Sequence, residues 1–69
     1  MSRQIIKDTM LRPVGWSEDN GTEIKYWGNT KGLVGRYVKS TSIWWYANGT
    51  MGPRGDIGYS EVLRAEGTR

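Results

Sequence analysis

The chain has 69 residues, with ten Lys and Arg against seven Asp and Glu for a net charge of +3, and it contains no Cys, His or Phe. Those absences exclude disulfide scaffolds, Cys/His zinc sites, redox-active thiols, cysteine proteases and Ser-His-Asp hydrolases, because the groups that do the chemistry are missing. The length fits one small domain, residues 1–69, which buries only about 60% of the surface its unfolded chain exposes. Four Trp and four Tyr must therefore build much of the core, since each can bury roughly 150–250 Å².

The amino-terminal residues are charged almost from the start, and their longest apolar run is Ile5-Ile6. No stretch approaches the roughly 20 apolar residues of a membrane span, so a cytoplasmic protein without a membrane partner is expected. Within residues 4–11, Ile6 and Met10 have helical spacing while Ile5-Ile6 suits a strand, and a strand is preferred. Pro13 closes this segment, because it lacks a backbone donor and biases Arg12 toward an extended conformation.

Residues 18–21 read as a turn, and Thr22 to Trp27 alternates polar with apolar up to Gly28-Asn29. Leu33 to Lys39 and Ser42 to Ala47 are two further strands, rich in the Val, Ile, Tyr and Trp that fit a pleated, half-buried surface. Asn48-Gly49 follows directly, and Asn-Gly readily supplies the positive φ angles of a type I′ hairpin. The return strand starts at Thr50-Met51 and is short, as Pro53 cannot donate to a central ladder. Residues 59–65 suit a strand or a short helix capped by Ser60 and ended by Gly67. The fold expected from this rhythm is a small antiparallel sheet of four or five strands, curled toward an SH3-like or OB-like barrel, with a short helix at one end.

Asn20-Gly21-Thr22 and Asn48-Gly49-Thr50 match glycosylation acceptors, yet both read better as turns. They belong to a weak echo, W-x-x-x-N-G-T, from Trp16 and again from Trp44. Beyond it the two regions do not align, which argues for two hairpins with similar turns and against a repeat. Arg54-Gly55-Asp56 is a cell-adhesion tripeptide in a Gly-rich loop, a match too short to carry weight. Gly32-Leu33-Val34-Gly35 has the form of a GxxG clamp, but its middle residues are apolar and its flanks extended. A bulge or close backbone packing explains those glycines better.

Charge is unevenly spread. Residues 24–55 hold Lys25, Lys31, Arg36, Lys39 and Arg54 with no carboxylate, and six of the eight aromatics. The flanking segments, 1–23 and 56–69, each carry a net charge of −1. Strand alternation with Ile24, Tyr26, Val34, Val38, Ile43 and Trp45 inward leaves Trp27, Tyr37, Trp44 and Tyr46 on one outer face beside Lys25 and Lys39. Exposed aromatics with nearby cations suit sequence-tolerant binding of single-stranded nucleic acid, where bases stack and cations neutralise phosphates. The candidate binding residues are Lys25, Trp27, Arg36, Tyr37, Lys39, Trp44, Tyr46 and Arg54.

The alternative is a protein-binding module, because Trp, Tyr and Arg anchor protein interfaces and cations steer toward an acidic surface. An inhibitor of or adaptor for a larger protein, such as a phage or mobile-element accessory protein, or a self-assembling homo-oligomer, would fit. Seven scattered carboxylates without His or Cys, and without a phosphate-binding Gly-Lys-Ser/Thr loop, give catalysis little to work with. The expectation is a non-catalytic protein without a cofactor or metal.

Overall fold

The structure is a computed structural model and describes residues 2–66. Six strands, β1 (Ser2–Lys7), β2 (Pro13–Asp19), β3 (Glu23–Gly28), β4 (Gly32–Val38), β5 (Ile43–Tyr46) and β6 (Met51–Arg54), precede one helix, α1 (Gly58–Ala65). The strands form one antiparallel sheet in sequence order. The antiparallel β architecture with a terminal helix is as expected, but there are six strands rather than four or five. The additional strand is β2. Residues 16–19, whose polar end reads as a turn, stay in register with both neighbours through Asp19. The sheet does not close into a barrel. Helix α1 covers one face across β2, β3 and β4, so the core is sealed by a second layer instead of by closure.

Both Asn-Gly pairs are turns, held by their own side chains. Asn20 Oδ1 accepts from the amides of Thr22 and Glu23 and from the Thr22 hydroxyl, at 2.9–3.0 Å. Asn48 Oδ1 accepts from the Thr50 amide at 2.9 Å. The β5–β6 turn is not type I′, which needs positive φ at both central residues. Only Gly49 is left-handed, at φ +91°, and its N–H donates to the Tyr46 carbonyl at 2.9 Å. The echo does not extend past the turns: Trp16 and Trp44, equivalent in sequence, face opposite sides of the sheet.

The core lies under α1 and is built around Ile6, Tyr26, Trp44 and Val62, with Val14, Ile24, Val34, Tyr37, Tyr46, Ile57 and Leu63 packed against it. Trp44 and Val62 are fully buried. Trp44 meets the rings of Tyr26 and Tyr46 edge-on, at centroid distances of 5.5 and 6.1 Å, a geometry set by the aromatic quadrupoles. Gly35 and Gly58 make this packing possible. A Cβ at Gly35 would strike the Trp44 ring, and one at Gly58 the Tyr26 ring. The helix starts at Gly58, two residues before Ser60, with Ile57 as its N-cap and no side-chain cap bond. Gly67, expected to end it, lies outside the described residues.

Two bulges decide which residues face the helix. Tyr26 opposes Gly35 and Trp27 opposes Leu33, so Val34 is an extra residue in β4. Ile6 opposes Gly15 and Lys7 opposes Pro13, so Val14 is an extra residue in β2. Each bulge turns a Val-Gly pair toward α1 and resets the alternation beyond it. Close packing and a bulge thus account for Gly35.

Candidate functional site

The other face of the sheet carries no helix. Register places its residues in rows that run across the strands. One row is Ile5, Trp16, Trp27 and Leu33; the next is Arg3, Glu18, Lys25, Arg36, Trp45 and Met51; a third is Glu23, Val38, Ile43 and Arg54. Trp16 and Trp27 stack with centroids 5.8 Å apart and planes 13° from parallel. The Arg3 guanidinium lies 5.0 Å from the Trp16 ring centroid. Trp16, Trp27 and Trp45 are partly buried. Ile5 and Leu33, which end the row of the two stacked tryptophans, are 58% and 45% exposed, and Met51 beside Trp45 is 60% exposed. Exposed apolar residues gathered on one face are of the kind that mark an interaction surface.

Of the candidate residues, Lys25, Trp27, Arg36 and Arg54 come together on this open face. Tyr37, Trp44 and Tyr46 do not, because they point into the helix-covered core. The correction has two causes. In β4 the Val34 bulge keeps Val34 inward as expected but sends Val38 outward and Tyr37 inward. In β5 the run Ile43-Trp44-Trp45-Tyr46 is apolar at every position, so alternation alone cannot choose a face; the space over Gly35 and Gly52 takes Trp44. Lys39 is also off this face, and its Nζ is held at 2.8 and 2.9 Å by both Asp19 carboxylate oxygens. Trp16, Trp45 and Arg3 were not expected here. The signal for Trp45 is its pairing with Arg36, and for Trp16 its pairing with Trp27.

A cavity of about 200 Å³ opens where the face meets the β5–β6 turn, lined by Lys25, Trp27, Leu33, Arg36, Tyr46 and Ala47, with Gly35 and Gly49. Its walls are mixed, more apolar than polar, and include two cations, a combination able to hold a flat ring and a neighbouring anion.

Electrostatics favour the same side. Five of the seven carboxylates are engaged away from the open face. Asp8 is bound to Arg12, Asp19 to Lys39, Asp56 to the Tyr26 hydroxyl, Glu61 to Arg64, and Glu66 to the loop before β4. The open face keeps Glu18 and Glu23, at 4.0 Å from Arg3 and 3.9 Å from Lys25. Among the described residues, Arg36 and Arg54 enter no ion pair with a carboxylate, which leaves their charge available.

Several of these contacts shift a titration. The Arg12 backbone amide, more than its own burial can oppose, holds the Asp8 carboxyl below the usual range, with the Met10 amide and the Arg12 guanidinium adding to it. The Lys39 ammonium and the Gly21 amide lower Asp19. Burial works against ionisation of Glu66, yet the Thr30 hydroxyl and the Lys31 and Thr30 amides outweigh it and lower its pKa. Burial, then the neighbouring Asp56 carboxylate, pushes the Tyr26 phenol well above its ordinary value. All four groups tie neighbouring segments together, and none is on the open face.

No family model matches this chain, nor does any curated protein or solved structure. Among the described residues no helix is long and apolar enough to cross a membrane, and no three Asp, Glu, His or Cys side chains gather as a metal site would need.

Proposed function

We propose that the protein is a non-catalytic binding module that takes single-stranded nucleic acid on the open face of its sheet. The observation that carries this reading is the joint placement of Trp27, Arg36 and Trp45, with Lys25 opposite Arg36, on a face that no other described element covers. Bases stack on the indole rings, each contributing roughly 1–3 kcal/mol. Lys25, Arg36 and Arg54 contact phosphates and release counterions, which makes affinity fall with salt. The ring-sized cavity beside Trp27 offers one base a partly enclosed seat. A cytoplasmic setting accompanies this reading, in keeping with a chain that has no cysteine to protect or pair.

A titration of tryptophan fluorescence with short oligonucleotides tests the proposal. Quenching that weakens about tenfold or more between 50 and 200 mM salt is expected for several phosphate contacts. The second reading, a protein-binding face, is favoured by the exposed Ile5, Leu33 and Met51 on the same surface. It forecasts little salt dependence and no quenching by oligonucleotides.

A further inference from the structure

We infer that the free edge of β1 accepts an additional β-strand from a protein partner, an extended segment with a carboxylate, an apolar side chain and a second carboxylate at alternate positions. The inference rests on the sheet edge and its flanking charges, and it does not depend on the nucleic-acid reading of the open face.

The sheet has two edges, and they are not alike. β6 has four residues, is interrupted by a register irregularity, and contains Pro53, which has no amide to donate. Such an edge resists pairing. β1 has six residues and no proline, and Ser2–Ile6 pairs with β2 without interruption. All of β1 but Ile6 is exposed. Its outer backbone groups meet no other strand among the described residues; only the Lys7 carbonyl is taken, by the Tyr59 hydroxyl at 2.7 Å. A regular, accessible edge supplies main-chain hydrogen bonds to any incoming strand.

Which strand fits is set by the rows that the edge would extend. Along the charged row the sign alternates, from Lys25 to Glu18 to Arg3, and Arg3 lies 4.0 Å from Glu18 and 5.0 Å from the Trp16 ring centroid with its side chain still largely exposed. The position beyond Arg3 therefore calls for a carboxylate. The neighbouring row is apolar, from Leu33 through Trp27 and Trp16 to Ile5, and Ile5 at 58% exposure lacks a neighbour on its outer side. Lys7, the next β1 residue on that face, calls for another carboxylate. Directly opposed side chains of opposite charge stabilise a pair of strands, and like charges destabilise it. A second copy pairing its own β1 antiparallel about Ile5 would set Arg3 against Lys7 on this face, which disfavours that symmetric dimer.

The probe is a fluorescein-labelled peptide of sequence Thr-Asp-Thr-Val-Thr-Asp-Thr with blocked ends, titrated with the full chain and followed by anisotropy. Three comparisons accompany it: a twin with Lys for both Asp, a twin N-methylated at alternate amides, and the protein variant Arg3→Glu with Lys7→Glu, its fold checked by circular dichroism. Binding of the acidic peptide about tenfold tighter than the Lys twin is expected from two cross-strand charge pairs, with the N-methylated peptide failing and the variant reversing the preference. In the unaltered protein, hydrogen exchange of the Ser2–Ile6 amides is expected to slow when the acidic peptide is present. Equal binding of the two charge twins, full binding of the N-methylated peptide, protection confined to other strands, or no anisotropy change at millimolar protein would each overturn the inference. Sedimentation showing a dimer that protects β1 without peptide would assign the edge to a second copy and overturn it as well.

Discussion

Replacing Trp44 by Ala removes the largest fully buried side chain, and a loss of about 3–5 kcal/mol is expected. Whole-domain stability is on the order of 0.1 kcal/mol per residue, so this variant should be largely unfolded in denaturant titrations that leave the parent folded. Trp45→Ala, one residue along and facing the other side, is expected to keep stability within about 1 kcal/mol while weakening oligonucleotide binding by roughly tenfold, the value of a stacked base. A Trp45 variant that melts like the Trp44 variant would show that the two faces of β5 are wrongly assigned. At this scale the sequence is ambiguous for a physical reason. Ile43-Trp44-Trp45-Tyr46 is apolar throughout, so what selects Trp44 for the core is a shape, the Cβ-free surface of Gly35 and Gly52, which only the paired strands create. The inward positions of Ile24 and Tyr26, by contrast, follow directly from the charged Lys25 between them.

Tyr26 ties two elements together, because its hydroxyl on β3 donates to Asp56 just before α1 at 2.9 Å. Its folded-state pKa is raised, so folding favours the neutral phenol. That contribution is complete below the unfolded value near pH 10 and is lost as pH rises beyond it. Denaturation midpoints measured from pH 8 to 11 should therefore fall at the alkaline end, and Tyr26→Phe should flatten the fall attributable to this group. Asp8, Asp19 and Glu66 behave in the opposite sense. Their folded pKa values are lowered, so they stabilise above the unfolded values near pH 4 and lose that contribution as pH falls through the folded ones.

The β1–β2 connection shows a different constraint. Asp8 accepts from the Met10 and Arg12 amides and holds Leu11 at φ +62°, a left-handed conformation that disfavours a side chain such as Leu. Leu11→Asn is expected to gain about 0.5–1 kcal/mol, read as a rise of several degrees in Tm for a domain of this size. Strands β3 to β6 were legible as strands, β3 by its alternation and β5 by its composition, whereas β2 was not, and the two Asn-Gly turns were legible as turns. Of the two bulges, the one beside Gly35 was anticipated as one of two explanations of its glycines, while the one at Val14, and the effect of either on which side chains face inward, were not. An extra residue in a strand leaves no mark in composition, and at Val14-Gly15 and Val34-Gly35 the only trace is a small residue beside a branched one. That single inserted residue in β4 explains why Tyr37 was expected outside and lies inside.

For the molecule as a whole, the layering explains the distribution of charge. One face is sealed by α1, whose ends are tied down through Asp56 and Glu66. These ties, with those of Asp8, Asp19 and Glu61, draw most of the negative charge away from the other face. The open face then presents Trp16, Trp27 and Trp45 among Arg3, Lys25, Arg36 and Arg54. Charge segregation along the chain, with residues 24–55 free of carboxylates, foretold part of this arrangement. The contribution of Trp16 and Arg3 came from outside that window, brought in by pairing of β1 and β2 with β3. A modest net charge of +3 therefore understates the field over one side, and long-range attraction of a polyanion should follow the face rather than the total.

The measurement that tests the central claim most directly is a fluorescence titration with single-stranded DNA and RNA at two salt concentrations, run in parallel on the parent chain and on Arg36→Glu. The parent is expected to show quenching with an affinity that drops about tenfold or more from 50 to 200 mM salt. Arg36→Glu should keep its thermal stability while losing most of the binding and part of the salt dependence. Absence of quenching at the lower salt, or binding that neither salt nor Arg36→Glu alters, would contradict a nucleic-acid role for the open face.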